Sequence, residues 1–247
     1  GLLLRIDDNC YWFAQADGDM FSWYKANSEG LDVNINEPNV FVSQIQGPKS
    51  MELLDHLIDE TVANEWNYFD WAEVTMAGEK VIVSRTGFTN ELGWEIYFRP
   101  ENNAEKLGDL ILNEGSKMGM IITATPSFRG RRIEAGLLSA GQDFTNETNP
   151  FTVGLGRFVD LEKDNFIGKK ALENADKTCR SRGIRVVDGI AKKGRSIKLN
   201  DQFVGNITSS TWSPYQVCGV GIALLDTPEI GPGTVVEVEC TDEKIHK

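Results

Sequence analysis

A chain of 247 residues, 40% hydrophobic and 25% charged, has the composition of an ordinary globular protein and the length of one large or two smaller domains. Asp and Glu number 37 against 25 Lys and Arg, a net charge of -12, which argues against a protein that binds nucleic-acid phosphates. Two histidines and four cysteines without paired spacing (Cys10, Cys179, Cys218, Cys240) argue against a protein-only metal site.

In chain order, residues 2–6 and 11–15 read as two strands joined by the turn chemistry of Asp7, Asp8 and Asn9. Residues 18–26 have helical spacing behind a candidate N-cap, Asp17. A strand over 40–45 is broken by Gly47-Pro48. A helix over 49–58 follows, with Leu53, Leu54 and Leu57 on one face. Strands over 71–77, 80–84 and 94–98 precede a helix over 102–117, the mixture of an α+β layer. Further helices are expected over 127–138 and 168–174. Beyond residue 183 the pattern becomes short strands with Gly, Pro and Asn turns, at 183–187, 202–207, 220–224 and 234–240. That spacing is typical of a small β barrel or sandwich. The expected domains are therefore 1–175 and 183–247, with the boundary near 175–182.

No apolar run approaches bilayer length, and the cysteines are expected reduced in a cytoplasmic protein. The basic cluster Lys192, Lys193, Arg195 and Lys198 lacks interleaved aromatics and reads as a solvated turn. The stretch Ser84-Arg-Thr-Gly-Phe-Thr-Asn-Glu-Leu-Gly-Trp-Glu-Ile-Tyr-Phe98 is the richest in chemistry. Alternation places Glu95 and Tyr97 on one face and Trp94, Ile96 and Phe98 on the other. Glu95 either faces solvent on an edge strand or is buried and paired. His56 sits on the polar side of its helix, and no base is available for a Ser-His-Asp hydrolase.

Ser84-Arg-Thr-Gly-Phe-Thr followed by Gly93-Trp-Glu-Ile-Tyr resembles the signature of the glycine-cleavage T-protein (aminomethyltransferase) family. Gln46-Gly-Pro-Lys-Ser50, Arg132-Ile-Glu-Ala-Gly136, Phe166-Ile-Gly-Lys-Lys-Ala-Leu172 and Ser209-Ser-Thr-Trp-Ser-Pro214 are similar to further family segments, in family order. Leu137-Leu-Ser-Ala-Gly-Gln-Asp143 lies nearer the dimethylsulfoniopropionate demethylase branch. The resemblance implies an α+β folate-binding core with a ferredoxin-like part, then a small C-terminal β barrel. It implies a methyl or aminomethyl transferase that uses tetrahydrofolate. Glu95 and Tyr97 would seat the pterin, Gln15 would touch its edge, and Arg132 would hold an anionic part of the folate. Trp94 and Trp212 are the expected substrate contacts. Arg132 could instead pair with Glu134 or Glu147 on the surface. Asn90 stands where the family has glycine, a mild change because Asn tolerates positive φ.

The family's central aspartate would fall immediately before Gly1. Asp7 and Asp8 lie in the following turn and are not its substitutes. Both ends read as interrupted strands, so the chain is expected to be a fragment without turnover of its own. Strands 2–6 and 234–240 would then each have an unfilled neighbour. The implied partner is a small-molecule donor, or a lipoyl carrier protein if the chain is a glycine-cleavage aminomethyltransferase proper. The rival of another class is a non-catalytic folate-binding module. Its relatives in iron–sulfur assembly carry a cysteine motif where this chain has Phe166-Ile-Gly-Lys-Lys-Ala-Leu172.

Overall fold

Leu2, Leu4, Trp12 and Ala14 point inward while Leu3, Arg5, Tyr11 and Phe13 are exposed, the period-two pattern of a half-buried hairpin. Strands β1 (Leu2–Arg5) and β2 (Tyr11–Ala14) form that hairpin as a two-stranded antiparallel ladder. The computed structural model describes residues 1–15, 19–60 and 66–246; the proposed cap Asp17 lies outside them. The chain divides into two units, Gly1–Ala124 and Thr125–Lys247. In the second unit the first helix buries Ile133 against Val220 and Ile222.

In the first unit, helix α1 (Phe21–Asn27) precedes strand β3 (Phe41–Gln46) and helix α2 (Ser50–Leu57). Strands β4 (Trp71–Met76), β5 (Glu79–Ser84) and β6 (Gly93–Phe98) and helix α3 (Ala104–Lys117) follow. The sheet is antiparallel in the order β3-β6-β5-β4. Ala77 (φ 51°) and Gly78 (φ 79°) form a two-residue turn with both residues left-handed, whose twist matches that of the flanking β4 and β5. Asn103 caps α3 by accepting from the Lys106 N–H at 3.1 Å.

Both faces of this sheet are covered, so β5 and β6 are buried almost without alternation. Leu53, Leu54 and Leu57 of α2 and Leu107 and Ile111 of α3 pack on Val81, Val83, Trp94, Ile96 and Phe98. On the opposite face Leu4, 1% exposed, and Trp12 pack on Ile82 and Tyr97. Burying a leucine there contributes roughly 1.5–3 kcal/mol.

In the second unit, helix α4 (Thr125–Glu134) ends four residues earlier than its periodicity predicts. Gly136 (φ 73°) takes a left-handed conformation and donates to Ile133 O, while the Leu137 N–H reaches back to Arg132 O at 2.8 Å. These are the paired bonds that terminate a helix at glycine. Helix α5 (Lys169–Glu173) precedes the strands β7 (Ser181–Val186), β8 (Ser196–Leu199), β9 (Gln202–Ser213), β10 (Cys218–Leu225), β11 (Glu237–Glu239) and β12 (Ile245–His246). They form one antiparallel sheet in the order β12-β11-β8-β9-β10-β7. Bulges at Ile197/Lys198 and Ile222/Ala223 bend it around a core of Val186, Ile197, Val204, Ile207, Ala223 and Val238. β8 and β12 are not among the strands the sequence pattern leads one to expect. The open neighbour expected beside residues 234–240 is not observed, since β11 pairs with β8 on one side and β12 on the other. Beside β1, only β2 is paired among the described residues.

Candidate functional site

Register, more than sequence, assembles the site in the first unit. Gln44 of β3 faces Glu95 of β6, and Glu95 faces Ser84 of β5. The three side chains form one row across the sheet face opposite the helices. At its end the Thr86 hydroxyl donates to Glu95 Oε2, and Ser84 Oγ lies 2.5 Å from Thr86 Oγ1. The Tyr97 hydroxyl is 3.5 Å from Glu95 Oε2, and Gln44 Nε2 donates to Glu95 Oε1 at 3.4 Å. Glu95 is half-buried, whereas Ser84 is fully buried. A hydrogen bond to a charged group contributes about 1.5–3 kcal/mol, enough to hold the carboxylate in one orientation.

Three of the sequence motifs meet beside this row. The Gln46 amide donates to Thr86 O at 3.3 Å and accepts from the Thr89 hydroxyl at 2.5 Å, which pins the β5–β6 loop. That side chain fills the space over Gly87 and Gly93. A Cβ on Gly87 would lie 2.5 Å from Gln46 Nε2, and one on Gly93 2.5 Å from Ile45 O and closer still to the Gln46 amide. Glycine is required at Gly93, where a backbone oxygen stands in the way, while a side chain at Gly87 would have to displace the Gln46 amide from its bonds to the loop. Asn90, at φ 58°, adopts the left-handed conformation its type allows.

Glu95 therefore faces away from the helices and is paired. Tyr97, expected to seat the pterin together with Glu95, is 2% exposed beneath Trp12, with ring centroids 6.5 Å apart. It supports Glu95 and presents little surface of its own. Burial pushes the Tyr97 phenol above its ordinary pKa; a hydrogen bond between it and Ser84 opposes this and the Glu95 charge adds to it. Tyr68, 42% exposed, is pushed up by burial and then by the charge of Glu95. Gln15 is half-buried at the end of β2, and its amide oxygen accepts from the Met20 N–H at 3.2 Å. Trp94 is corrected from substrate contact to core residue: it is 0% exposed, stacks edge-on with Trp66 and donates to Ser50 O at 3.0 Å. Thr86 and Gln44 were not foreseen; a row of partners across strands leaves no trace in a single strand's pattern.

In the second unit Arg132 is 2% exposed and its guanidinium is committed. It donates to Asp143 Oδ2 at 2.6 Å, Leu137 O at 2.8 Å and Ser209 Oγ at 2.8 Å. Asp143 also accepts from Ser139 N at 2.9 Å and the Thr208 hydroxyl at 2.6 Å. The surface pair expected with Glu134 or Glu147 is replaced by this buried one, and Arg131 takes Glu134 at 2.7 Å. Glu134 in turn accepts from Ser213 Oγ. The segments Arg132-Ile-Glu-Ala-Gly136 and Ser209-Ser-Thr-Trp-Ser-Pro214 thus lock each other. A cavity of about 450 Å³ beside them is lined by Arg129, Arg132, Gln142, Lys193 and Ser209. Lys193 donates to Gln142 Oε1 at 2.9 Å, and Lys192 and Arg195 pair with Glu239. Trp212 is 41% exposed on β9.

An antiparallel sheet with helices on one face and an anchored carboxylate on the other, followed by a six-stranded β unit, defines a two-part α+β protein with a barrel-type C-terminal half. Residues 1–163 match the family model of the GCVT N-terminal domain. Residues 180–247 match that of the glycine cleavage T-protein C-terminal barrel domain. The chain belongs to the glycine cleavage T-protein family. It is 31% identical over 246 residues to the dimethylsulfoniopropionate demethylase of Ruegeria pomeroyi, covering 97% of this chain and 66% of that protein. It is 35% identical over 215 residues to the aminomethyltransferase of Thermotoga maritima, covering 83% of this chain and 57% of that one. The crystal structure of the glycine cleavage system aminomethyltransferase T from Bartonella henselae superposes with a TM-score of 0.78 at 23% identity. It covers 92% of this chain and 62% of that one, and shares the fold. The chain thus spans less than two thirds of the length of these relatives.

Proposed function

We propose that this chain carries the pterin-binding part of a tetrahydrofolate-dependent one-carbon transferase. The single observation that carries the reading is the Glu95 carboxylate. Its Oε2 is held by Thr86 and Tyr97, while Oε1 receives, among the described residues, only the long bond from Gln44. An ionised carboxylate offers about four lone-pair sites, so Oε1 retains capacity for the amino and ring N–H donors of a pterin. The residues present therefore fit the group. Bound tetrahydrofolate supplies the nitrogen that takes up the one-carbon unit. The chain's share is orientation: Glu95 fixes the pterin edge, Thr86 and Tyr97 fix Glu95, and the β1–β2 hairpin excludes water from Tyr97. The committed hydrogen bonds of Arg132 favour a structural role over contact with the folate's anionic end. Exposed Trp212 remains open to a ligand.

A small methylated donor is the first reading of the substrate. The relative named a demethylase aligns over 97% of this chain, against 83% for the Thermotoga maritima aminomethyltransferase. The second reading is an aminomethyl group borne on a lipoyl carrier, favoured by the higher identity, 35%, of that aminomethyltransferase. We propose a cytoplasmic location under either reading. Calorimetric titration with tetrahydrofolate tests the common part: Glu95→Gln should weaken binding by about 1.5–3 kcal/mol. Unchanged affinity would overturn it. Formation of 5-methyl-tetrahydrofolate with small methyl donors, against 5,10-methylene-tetrahydrofolate with a lipoyl-borne donor, separates the two substrate readings.

A further inference from the structure

The hydrogen-bond order around Glu95 follows from chemistry. A carboxylate only accepts, so the Thr86 hydroxyl spends its one proton on Oε2. Thr86 Oγ1 must then accept, which makes Ser84 the donor across their 2.5 Å contact. For the same reason the amide atom of Gln44 that meets Oε1 at 3.4 Å is its nitrogen. Among the described residues this is the one hydrogen bond the Gln44 side chain makes, so its amide keeps a second N–H and a carbonyl. Gln44 is half-buried on the same face and in register with Glu95. The sheet thus presents an acceptor, Oε1, directly beside a donor, the Gln44 amide.

We propose that Gln44 is a specificity-determining residue that reads the 4-oxo group of the pterin beside Glu95; this rests on the folate reading above. A carboxylate can take the two adjacent N–H donors of a 2-amino-4-oxo ring. It makes no favourable bond to the oxo group next to them. The neutral amide of Gln44 supplies that bond through its N–H. A ring with an amino group at position 4 offers a donor there, and meets the Gln44 N–H with a second donor. The pair Glu95–Gln44 therefore selects the 4-oxo over the 4-amino heterocycle: Glu95 needs the ring N–H next to the 2-amino group, which a neutral 4-amino ring lacks, and Gln44 adds the reading of position 4 itself.

The test is calorimetric titration of the unchanged 247-residue chain and of Gln44→Leu with two probes, tetrahydrofolate and its 4-amino analogue carrying the same tail. One neutral hydrogen bond corresponds to about a ten-fold change in affinity. The unchanged chain should prefer tetrahydrofolate by at least that factor. Gln44→Leu should lose about ten-fold for tetrahydrofolate and lose no affinity for the 4-amino probe, because it removes one oxo-directed bond and, for the 4-amino ring, only an opposed donor. Gln44→Met, unbranched and close in length, should reproduce the result and guards against a packing defect from leucine. Equal losses for both probes in both variants, or no loss for either, overturn the proposal. If Glu95→Gln leaves both affinities unchanged while Gln44→Leu alters one, the carboxylate reading fails and the amide reading stands. If the unchanged chain binds neither probe, both fall together.

Discussion

Replacing Arg132 by methionine separates the two roles open to that side chain. The guanidinium is 2% exposed and bonds to Asp143, Leu137 O and Ser209, while the Asp143 side chain is 0% exposed. Arg132→Met leaves the Asp143 carboxylate buried without its counter-charge, with Ser139 N and Thr208 as its remaining partners among the described residues. Removing one member of a buried pair costs about 3–5 kcal/mol. Arg132→Lys keeps the charge but not the planar fork. The loss of one or two hydrogen bonds should cost about 1–3 kcal/mol. The assay is urea denaturation of the 247-residue chain followed by tryptophan fluorescence, with the unfolding of the second unit read from Trp212. If Arg132→Met costs less than about 1 kcal/mol while tetrahydrofolate affinity falls, the side chain is a ligand contact and the structural assignment is wrong.

Other expectations concern the first unit. Thr86→Val removes the donor that orients Glu95 and should weaken tetrahydrofolate binding by about ten-fold, with Thr86→Ser restoring it; equal binding by both variants would dismiss the relay. Gly93→Ala places a methyl 2.5 Å from Ile45 O and should destabilise by about 1–3 kcal/mol in a thermal melt. Leu4→Ala opens a cavity under the hairpin and should cost about 2–5 kcal/mol by urea titration. Tyr97 has a folded-state pKa raised above the unfolded value of 10. Its contribution is thus fully present below pH 10 and is lost as pH rises through the folded value. The stability gap between the unchanged chain and Tyr97→Phe should narrow above pH 10. A gap independent of alkaline pH would show that the phenol is not shielded.

Much of the fold was legible along the chain because each local pattern agreed with its tertiary setting. Leu53, Leu54 and Leu57 gave the inner face of α2, and alternation separated Glu95 and Tyr97 from Trp94 and Ile96. Asn90 was recognisable as a left-handed position because it stands where the family has glycine and is of a type that tolerates positive φ. What alternation could not supply was partnership. Glu95 was as compatible with a solvated edge as with a paired interior until the register placed Gln44 and Ser84 beside it. Trp94 shared a motif with Glu95 yet went to the opposite face and into the core, because adjacent residues on a strand point apart. Arg132 found Asp143 eleven residues on, and not the nearby Glu134, because the helix ends at Gly136 and the chain folds back under it. Residue identity determined the face, the cap and the turn, which depend on a few neighbouring dihedrals. Register and burial, which depend on segments distant in the chain, decided which carboxylate is anchored and open on one side and which cation is already neutralised.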